Sequence, residues 1–178
     1  LILLMKHLLL ACLLTGTALA QITSWDVLAA GAKADGVTDN TAIFQRLLDE
    51  AGKAGGGVVT VPAGSFRIAG NLSIPANVAL QGIYRVPPTV RSGKTEELTG
   101  SVLQAMAGRG SAEGAPFISL AGTNAAIAGF IITYPEWKQT DVPPVPYPPC
   151  IASHATENVG ISECLLLNPY EGIRFVLA

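Results

Sequence analysis

The stretch Asp39-Asn40-Thr41-Ala42-Ile43-Phe44-Gln45-Arg46-Leu47-Leu48-Asp49-Glu50-Ala51-Gly52, with Gly55-Gly56-Gly57-Val58-Val59-Thr60-Val61-Pro62 close behind it, decides the fold. Asp39, Asn40 and Thr41 carry side-chain oxygens that accept the orphan amide hydrogens of a first helical turn. Ile43, Phe44, Leu47, Leu48 and Ala51 recur at i, i+4 and i+8 and share one face. Gly52 is the expected stop, and Lys53 suits the negative end of the helix dipole. After the glycines the pattern becomes extended. Val58 to Val61 is a β-branched run closed by Pro62, which reads as a strand.

Further along, no second helix of this quality is found. Short apolar-alternating runs follow instead: Ser65 to Ile68, Leu72 to Ile74, Val78 to Leu80, Ser101 to Leu103, Phe117 to Leu120, Ala126 to Ala128, Phe130 to Ile132, Val159 to Ile161 and Leu165 to Leu167. Glycine and proline account for 31 of 178 residues, so turns are frequent and long helices scarce. Strands this short and dense fit a sandwich, a barrel or a solenoid. Two features favour the solenoid. Asn124-Ala125-Ala126-Ile127-Ala128-Gly129-Phe130 and Asn158-Val159-Gly160-Ile161-Ser162-Glu163-Cys164 share one form, an Asn turn, an alternating strand, then a second strand. Asn-Gly and Asp-Gly dipeptides are missing between the strands, which argues against a meander of hairpins. A stack of parallel coils needs no hairpins, but its end exposes an apolar cross-section that the early amphipathic helix has the right face to cover.

Charged residues make up only 13% of the chain and the formal charge is -2, which excludes a disordered tail and a basic nucleic-acid binder. Met5-Lys6-His7, the apolar run Leu8 to Leu14 and Ala18-Leu19-Ala20 read as a signal peptide over residues 1–20, with residues 1–4 upstream of the start at Met5. Its apolar run is too short for a membrane span. Residues 21–178 then form one exported domain, secreted or periplasmic, without stable membrane insertion. Losing Lys6 brings its charge to 10 minus 13, or -3. Cys150 and Cys164 are the cysteines left to it; both a bridge and a buried reduced pair remain open. They do not form a metal site, because no further Cys or His lies at ligand spacing.

The segment Gly31-Ala32-Lys33-Ala34-Asp35-Gly36-Val37-Thr38-Asp39-Asn40-Thr41 continues into Gln45, Ala54-Gly55-Gly56-Gly57-Val58-Val59 and Val61-Pro62-Ala63-Gly64-Ser65-Phe66. In this order and spacing it resembles the opening of the pectate-lyase-3 group of right-handed parallel β-helices. That group gathers rhamnogalacturonase-like, pectate-lyase-like and alginate-epimerase-like proteins. Tyr147-Pro148-Pro149-Cys150-Ile151 and Asn168-Pro169-Tyr170-Glu171-Gly172-Ile173 are also similar to secreted members. The resemblance implies an all-β, right-handed parallel β-helix with an N-terminal capping helix, acting on acidic polysaccharide. Asp35, Gly36 and Asp39 are expected to form the cap's tight turn and to orient the helix start.

Lyase or epimerase chemistry needs a base for a C5 proton and a cation to hold the resulting anion, for which a lyase would use calcium. Hydrolysis needs two carboxyl groups instead. Outside the cap the candidates are Glu136, Asp141, His154, Glu157, Glu163, Glu171 and Arg174, with Glu163 on a strand and His154 in a turn. The catalytic candidates among them are Glu163, His154 and Arg174. The paired-Asp and Gly-His-Gly signatures of polygalacturonase-like relatives are missing. Tyr134, Trp137 and Tyr147 flank the insertion Glu136 to Pro149, whose proline run should lie extended on the surface, and their faces suit sugar rings. Gly172 to Ala178 starts another apolar strand, so the chain is expected to be the N-terminal part of a longer coil stack. A non-catalytic carbohydrate-binding β-helix and an inactive fragment are the rival readings.

Overall fold

A computed structural model of the chain describes residues 23–86, 98–154 and 157–176; the expected signal peptide lies outside them. The chain winds through successive coils. The first consists of β1 (Ser24–Asp26), β2 (Asp35–Asp39) and α1 (Thr41–Lys53). Each later coil contributes three strands: β3 (Gly57–Thr60), β4 (Gly64–Ile68) and β5 (Leu72–Ile74), then β6 (Val78–Gln81), β7 (Ser101–Ala105) and β8 (Ile118–Leu120). They are followed by β9 (Ala126–Ala128), β10 (Phe130–Thr133) and β11 (Ile151–His154), then by β12 (Gly160–Ser162), β13 (Leu165–Leu167) and β14 (Ile173–Val176). Like strands stack into three sheets: β1-β3-β6-β9-β12 (sheet 1), β2-β4-β7-β10-β13 (sheet 2) and β5-β8-β11-β14 (sheet 3). Every strand ladder is parallel, and the architecture is a right-handed parallel β-helix.

The register explains why short, variable runs suffice. Val59 stands over Leu80, Leu80 over Ile127 and Ile127 over Ile161 in sheet 1. Phe66, Leu103, Ile132 and Leu166 form the inward column of sheet 2. Leu72, Ile118, Ile151 and Ile173 do the same in sheet 3. Each residue fully buried this way contributes about 1.5–3 kcal/mol, so one inward side chain per strand carries the stack. The columns are buried until the last described coil, where Ile173 and Phe175 are 47% and 56% exposed because no described coil lies above them.

Helix α1 closes the opposite end. Phe44, Leu47, Leu48 and Ala51 are buried, and Phe44 meets Phe66 edge-on with centroids 5.6 Å apart. The helix stops later than Gly52 suggests. Gly55, at φ 91, donates its amide to Gly52 O, and Gly56 donates to Ala51 O. That pair of bonds is a Schellman ending, and Gly55 supplies its left-handed residue. The expected turn over Asp35 to Asp39 is a bulge inside β2. Five residues, 35 to 39, span the register of Ser65 to Arg67, which is three. Asp35 Oδ1 accepts the amides of Val37 (2.9 Å) and Thr38 (2.8 Å), and Asp39 Oδ1 accepts the amide of Thr41 (3.0 Å).

The Asn turns of the sequence recur at one corner. Asn77, Asn124 and Asn158 precede β6, β9 and β12 with φ of 60, 60 and 55, and Asn124 Nδ2 donates to Asn77 Oδ1 at 2.8 Å. Asparagine is among the few residues that adopt this left-handed conformation readily.

Candidate functional site

The corners between sheets 2 and 3 grow along the stack. After β4 the link is residues 69–71, after β7 residues 106–117, and after β10 residues 134–150. The two long links pack into a lobe on the side of the coil. Gly110 donates its amide to Pro146 O (2.8 Å) and Phe117 to Pro149 O (2.9 Å). Asn71 Nδ2 donates to Ala115 O (3.1 Å) and Pro116 O (2.8 Å), which ties the lobe to the coil below.

The lobe gathers ionisable groups from both links. Arg109 Nε lies 4.0 Å from Glu136 Oε2, and its terminal nitrogen lies 3.6 Å from Asp141 Oδ2. These are ion-pair distances beyond hydrogen-bond range, so the carboxylates position the guanidinium without consuming its donors. Below them Tyr134 and Tyr147 meet edge to face, centroids 4.9 Å apart and planes at 66°. Both are buried, and neither hydroxyl has a hydrogen-bond partner within 3.5 Å among the described residues. Burial first, then the Glu136 charge, raises the Tyr147 phenol pKa against the opposing effect of Arg109. Burial likewise raises that of Tyr134 and pushes the neighbouring Cys150 thiol up to about 12.

This placement revises the expected aromatic platform. Tyr134 and Tyr147 present no face to solvent, because each ring covers the other against the core. Trp137, on the same link, is 39% exposed. The proline run is exposed over Val142 to Pro144 but buried from Tyr147 onward, and its Val142–Pro143 bond is cis rather than extended polyproline.

The catalytic candidates Glu163, His154 and Arg174 are not brought together. His154 is not in a turn; it ends strand β11, exposed on the outer face of sheet 3. Arg174 lies on the neighbouring strand β14, opposite Ala152, and pairs with Glu171, Nε to Oε1 2.6 Å, which raises its pKa. Glu163 is not on a strand. It occupies the corner between sheets 1 and 2, exposed, at φ 50. Glu157 is exposed next to Asn158. Cys150 and Cys164 are both free thiols, the first buried and the second half-buried. Among the described residues no cluster of three or more His, Cys, Asp or Glu could hold a metal ion. No described helix is long and apolar enough to cross a membrane. The residue that sequence reasoning missed is Arg109. Its one signal was its setting in Gly108-Arg109-Gly110, an arginine raised on a tight turn.

A family model described as rhamnogalacturonase A/epimerase, pectate lyase-like, matches residues 24–137, which is 114 of 178 positions. The chain belongs to this family. Mannuronan C5-epimerase AlgE1 of Azotobacter vinelandii is 38% identical over 84 residues, covering 42% of this chain and 6% of that protein. Alginate lyase 7 of the same organism is 38% identical over 84 residues, covering 42% of this chain and 10% of its own length. This chain therefore spans a small fraction of these family relatives. An exopolygalacturonase from Thermotoga maritima superposes with a TM-score of 0.54 at 22% identity, over 82% of this chain and 42% of its own, a likeness of fold. The match ends at Trp137, so the family region covers the cap, the first coils and Arg109 but only the beginning of the 134–150 link.

Proposed function

We propose that this chain is the N-terminal part of an exported β-helix protein that acts on acidic polysaccharide by lyase or epimerase chemistry. The observation that carries the reading is the 38% identity, over 84 residues, to two proteins named for mannuronan epimerisation and alginate cleavage. Both of those names denote chemistry on uronate polymers. Arg67 on strand β4 and exposed Arg85, in the link between β6 and β7, are cations that would offset the negative net charge for an anionic chain. Calcium is the cofactor a lyase reading would add. The test is incubation of the purified chain with alginate and polygalacturonate, with and without calcium. Unsaturated uronate absorbance reports a lyase, and proton NMR of the C5 configuration reports an epimerase. Neither signal above a heat-treated control, with no retardation in gels holding either polymer, refutes the reading.

A second reading, binding without turnover, is favoured by the separation of Glu163 from His154 and Arg174. Retardation by a polymer that the chain leaves chemically unchanged distinguishes it.

A further inference from the structure

We propose that the cap also ends the backbone ladder: Gln45 of helix α1 takes the place of a strand beneath β5 and keeps the lower edge of sheet 3 from accepting a strand of a second copy of this chain.

Strands β5 and β14 are the two edges of sheet 3. On its inner side β5 is paired, since the Leu72 amide donates to Phe117 O at 2.9 Å and Ile74 O accepts the Ala121 amide at 2.9 Å. Alternate residues of a parallel strand bond to opposite sides, so the peptide groups of Ser73 point to where a lower coil would stand. Helix α1 stands there instead. Gln45 Oε1 accepts the Ser73 amide at 2.8 Å, and Gln45 Nε2 donates to Ser73 O at 3.1 Å. A carboxamide carries the donor and acceptor of one peptide and satisfies both groups at once. Asp49, one turn on, accepts from the same nitrogen at 2.7 Å and holds it in that orientation. One turn before, the Thr41 hydroxyl accepts the amides of Ala69 and Gly70 at 2.9 and 3.0 Å. Thr41 and Gln45 thus form a polar stripe beside the apolar one of Phe44, Leu47, Leu48 and Ala51. The apolar stripe covers the interior of the coil, and the polar stripe closes its rim.

The other edge of the sheet identifies what this arrangement excludes. Strand β14 has no partner above it among the described residues, and its Ile173, Phe175 and Val176 are 47%, 56% and 41% exposed. Ile173 continues the inward column of Leu72, Ile118 and Ile151 in register. β14 of one copy therefore fits beneath β5 of the next as β5 fits beneath β8. Such a contact joins unlike surfaces and leaves both ends open, so it repeats copy after copy into a fibre. A contact between two β14 edges stops at a dimer. Sheet 2 offers no equivalent template, because the bulge in β2 breaks its lower edge and the Asp35 carboxylate takes the Val37 and Thr38 amides.

The test combines amide hydrogen exchange with sedimentation velocity on the purified chain. In the wild type the Ser73 amide, on an exposed residue at a sheet edge, should exchange at least about a hundredfold more slowly than an unstructured amide. Gln45→Met keeps the side-chain length and removes both bonds, so the helix leaves the rim more often. It should speed Ser73 exchange at least about tenfold and yield species larger than two copies on incubation at high concentration. Arg46→Met, on the exposed side of the same helix, should leave both readings at wild-type values. An unprotected Ser73 amide in the wild type, or a wild type that itself assembles beyond two copies, overturns the proposal whether or not the variant folds. So does a Gln45→Met chain that stays at two copies or fewer, or an Arg46→Met chain that assembles as Gln45→Met does.

Discussion

Asn40 is the polar residue on which the cap depends, and its replacement by alanine is the sharpest test of how the coil is closed. The side chain is fully buried. Its Oδ1 accepts the Lys33 amide at 2.7 Å, and its Nδ2 donates to Lys33 O at 3.0 Å and to Thr38 O at 2.8 Å. Its backbone amide donates to Arg67 O at 2.9 Å, and its carbonyl accepts the Phe44 amide at 3.0 Å. One residue thus joins the loop before β2, the bulge, the start of α1 and strand β4. Alanine keeps the backbone bonds and deletes four side-chain bonds, the longest of them from Nδ2 to Arg67 O at 3.5 Å. Each is worth about 1 kcal/mol net. Lys33 and Thr38 are exposed, so water recovers part of the loss, and the expected cost is about 2–3 kcal/mol. Against a total of about 5–15 kcal/mol for a domain, that is a large share.

The assay is urea unfolding followed by circular dichroism, with the loss appearing as a lower midpoint at unchanged slope. Asn40→Asp sharpens the test. It keeps the acceptor toward Lys33 but turns a second oxygen toward the carbonyls of Lys33 and Thr38. Burial and those carbonyls favour the protonated acid, so the folded pKa rises above the unfolded value of about 3.9. The Asp variant should therefore be less stable than the Ala variant at neutral pH, and the gap should close as pH falls toward about 4. A loss below about 1 kcal/mol for Asn40→Ala, or a gap independent of pH, would refute the assignment of Asn40 as the clamp.

Four further outcomes are expected. Glu163 holds the left-handed corner position that Gly129 holds one coil earlier, since Ala128 pairs with Ser162; Glu163→Gly should stabilise the chain by about 0.5–1 kcal/mol in urea melts. Gly129→Ala should lower the melting temperature markedly, because the new Cβ would stand 2.4 Å from Gly82 O. Asp35 is held at about 2, chiefly by the Thr38 hydroxyl and then by the Thr38 and Val37 amides. For Asp39, burial works upward but the Thr41 and Ala69 bonds with the Arg67 charge together bring the pKa below 3.8. Both folded values lie below the unfolded one, so their stabilisation is complete above about pH 4 and is lost as pH falls toward 2; the urea midpoint of Asp35→Asn should change less over that window than that of wild type. A thiol reagent at neutral pH should modify half-buried Cys164 before fully buried Cys150, and mass spectrometry of the first adduct reports which.

The solenoid was legible because its interior asks little of each strand. Val59, Leu80 and Ile127 needed only to be apolar at the middle of a short run, and Asn77, Asn124 and Asn158 marked the corner that repeats before each coil. The capping helix was legible because Phe44, Leu47, Leu48 and Ala51 form a single face. Its end was misjudged at Gly52 because sequence offers several glycines, whereas the left-handed residue with the two closing bonds is Gly55. At Gly52 the issue is space: a Cβ there would meet Pro75 at 2.7 Å. Strand β11 went unseen because Ile151 to His154 follows a proline run and carries two small residues, so its pairing with β8 and β14 decides it rather than its own propensity. The misreadings of His154 and Glu163 come from the same cause, that strand ends and corners are set by the neighbouring coil.

The lobe was illegible for a different reason. Arg109 is 27 positions before Glu136 and 32 before Asp141, and no motif spacing connects them. They meet because Val102 pairs with Ile131 in sheet 2 and Ile118 with Ile151 in sheet 3, so the links leaving β7 and β10 emerge one above the other. Coil length has no bearing on that register. Val59 to Leu80 takes 21 residues, Leu80 to Ile127 takes 47 and Ile127 to Ile161 takes 34, yet all four side chains form one column. Residues can therefore be added at a corner without disturbing the core, and groups from successive corners are brought within a strand spacing of about 4.8 Å whatever their distance in sequence. In such a fold the column residues report the architecture, while surface side-chain clusters arise from pairs of corners, as Arg109 and its two carboxylates do.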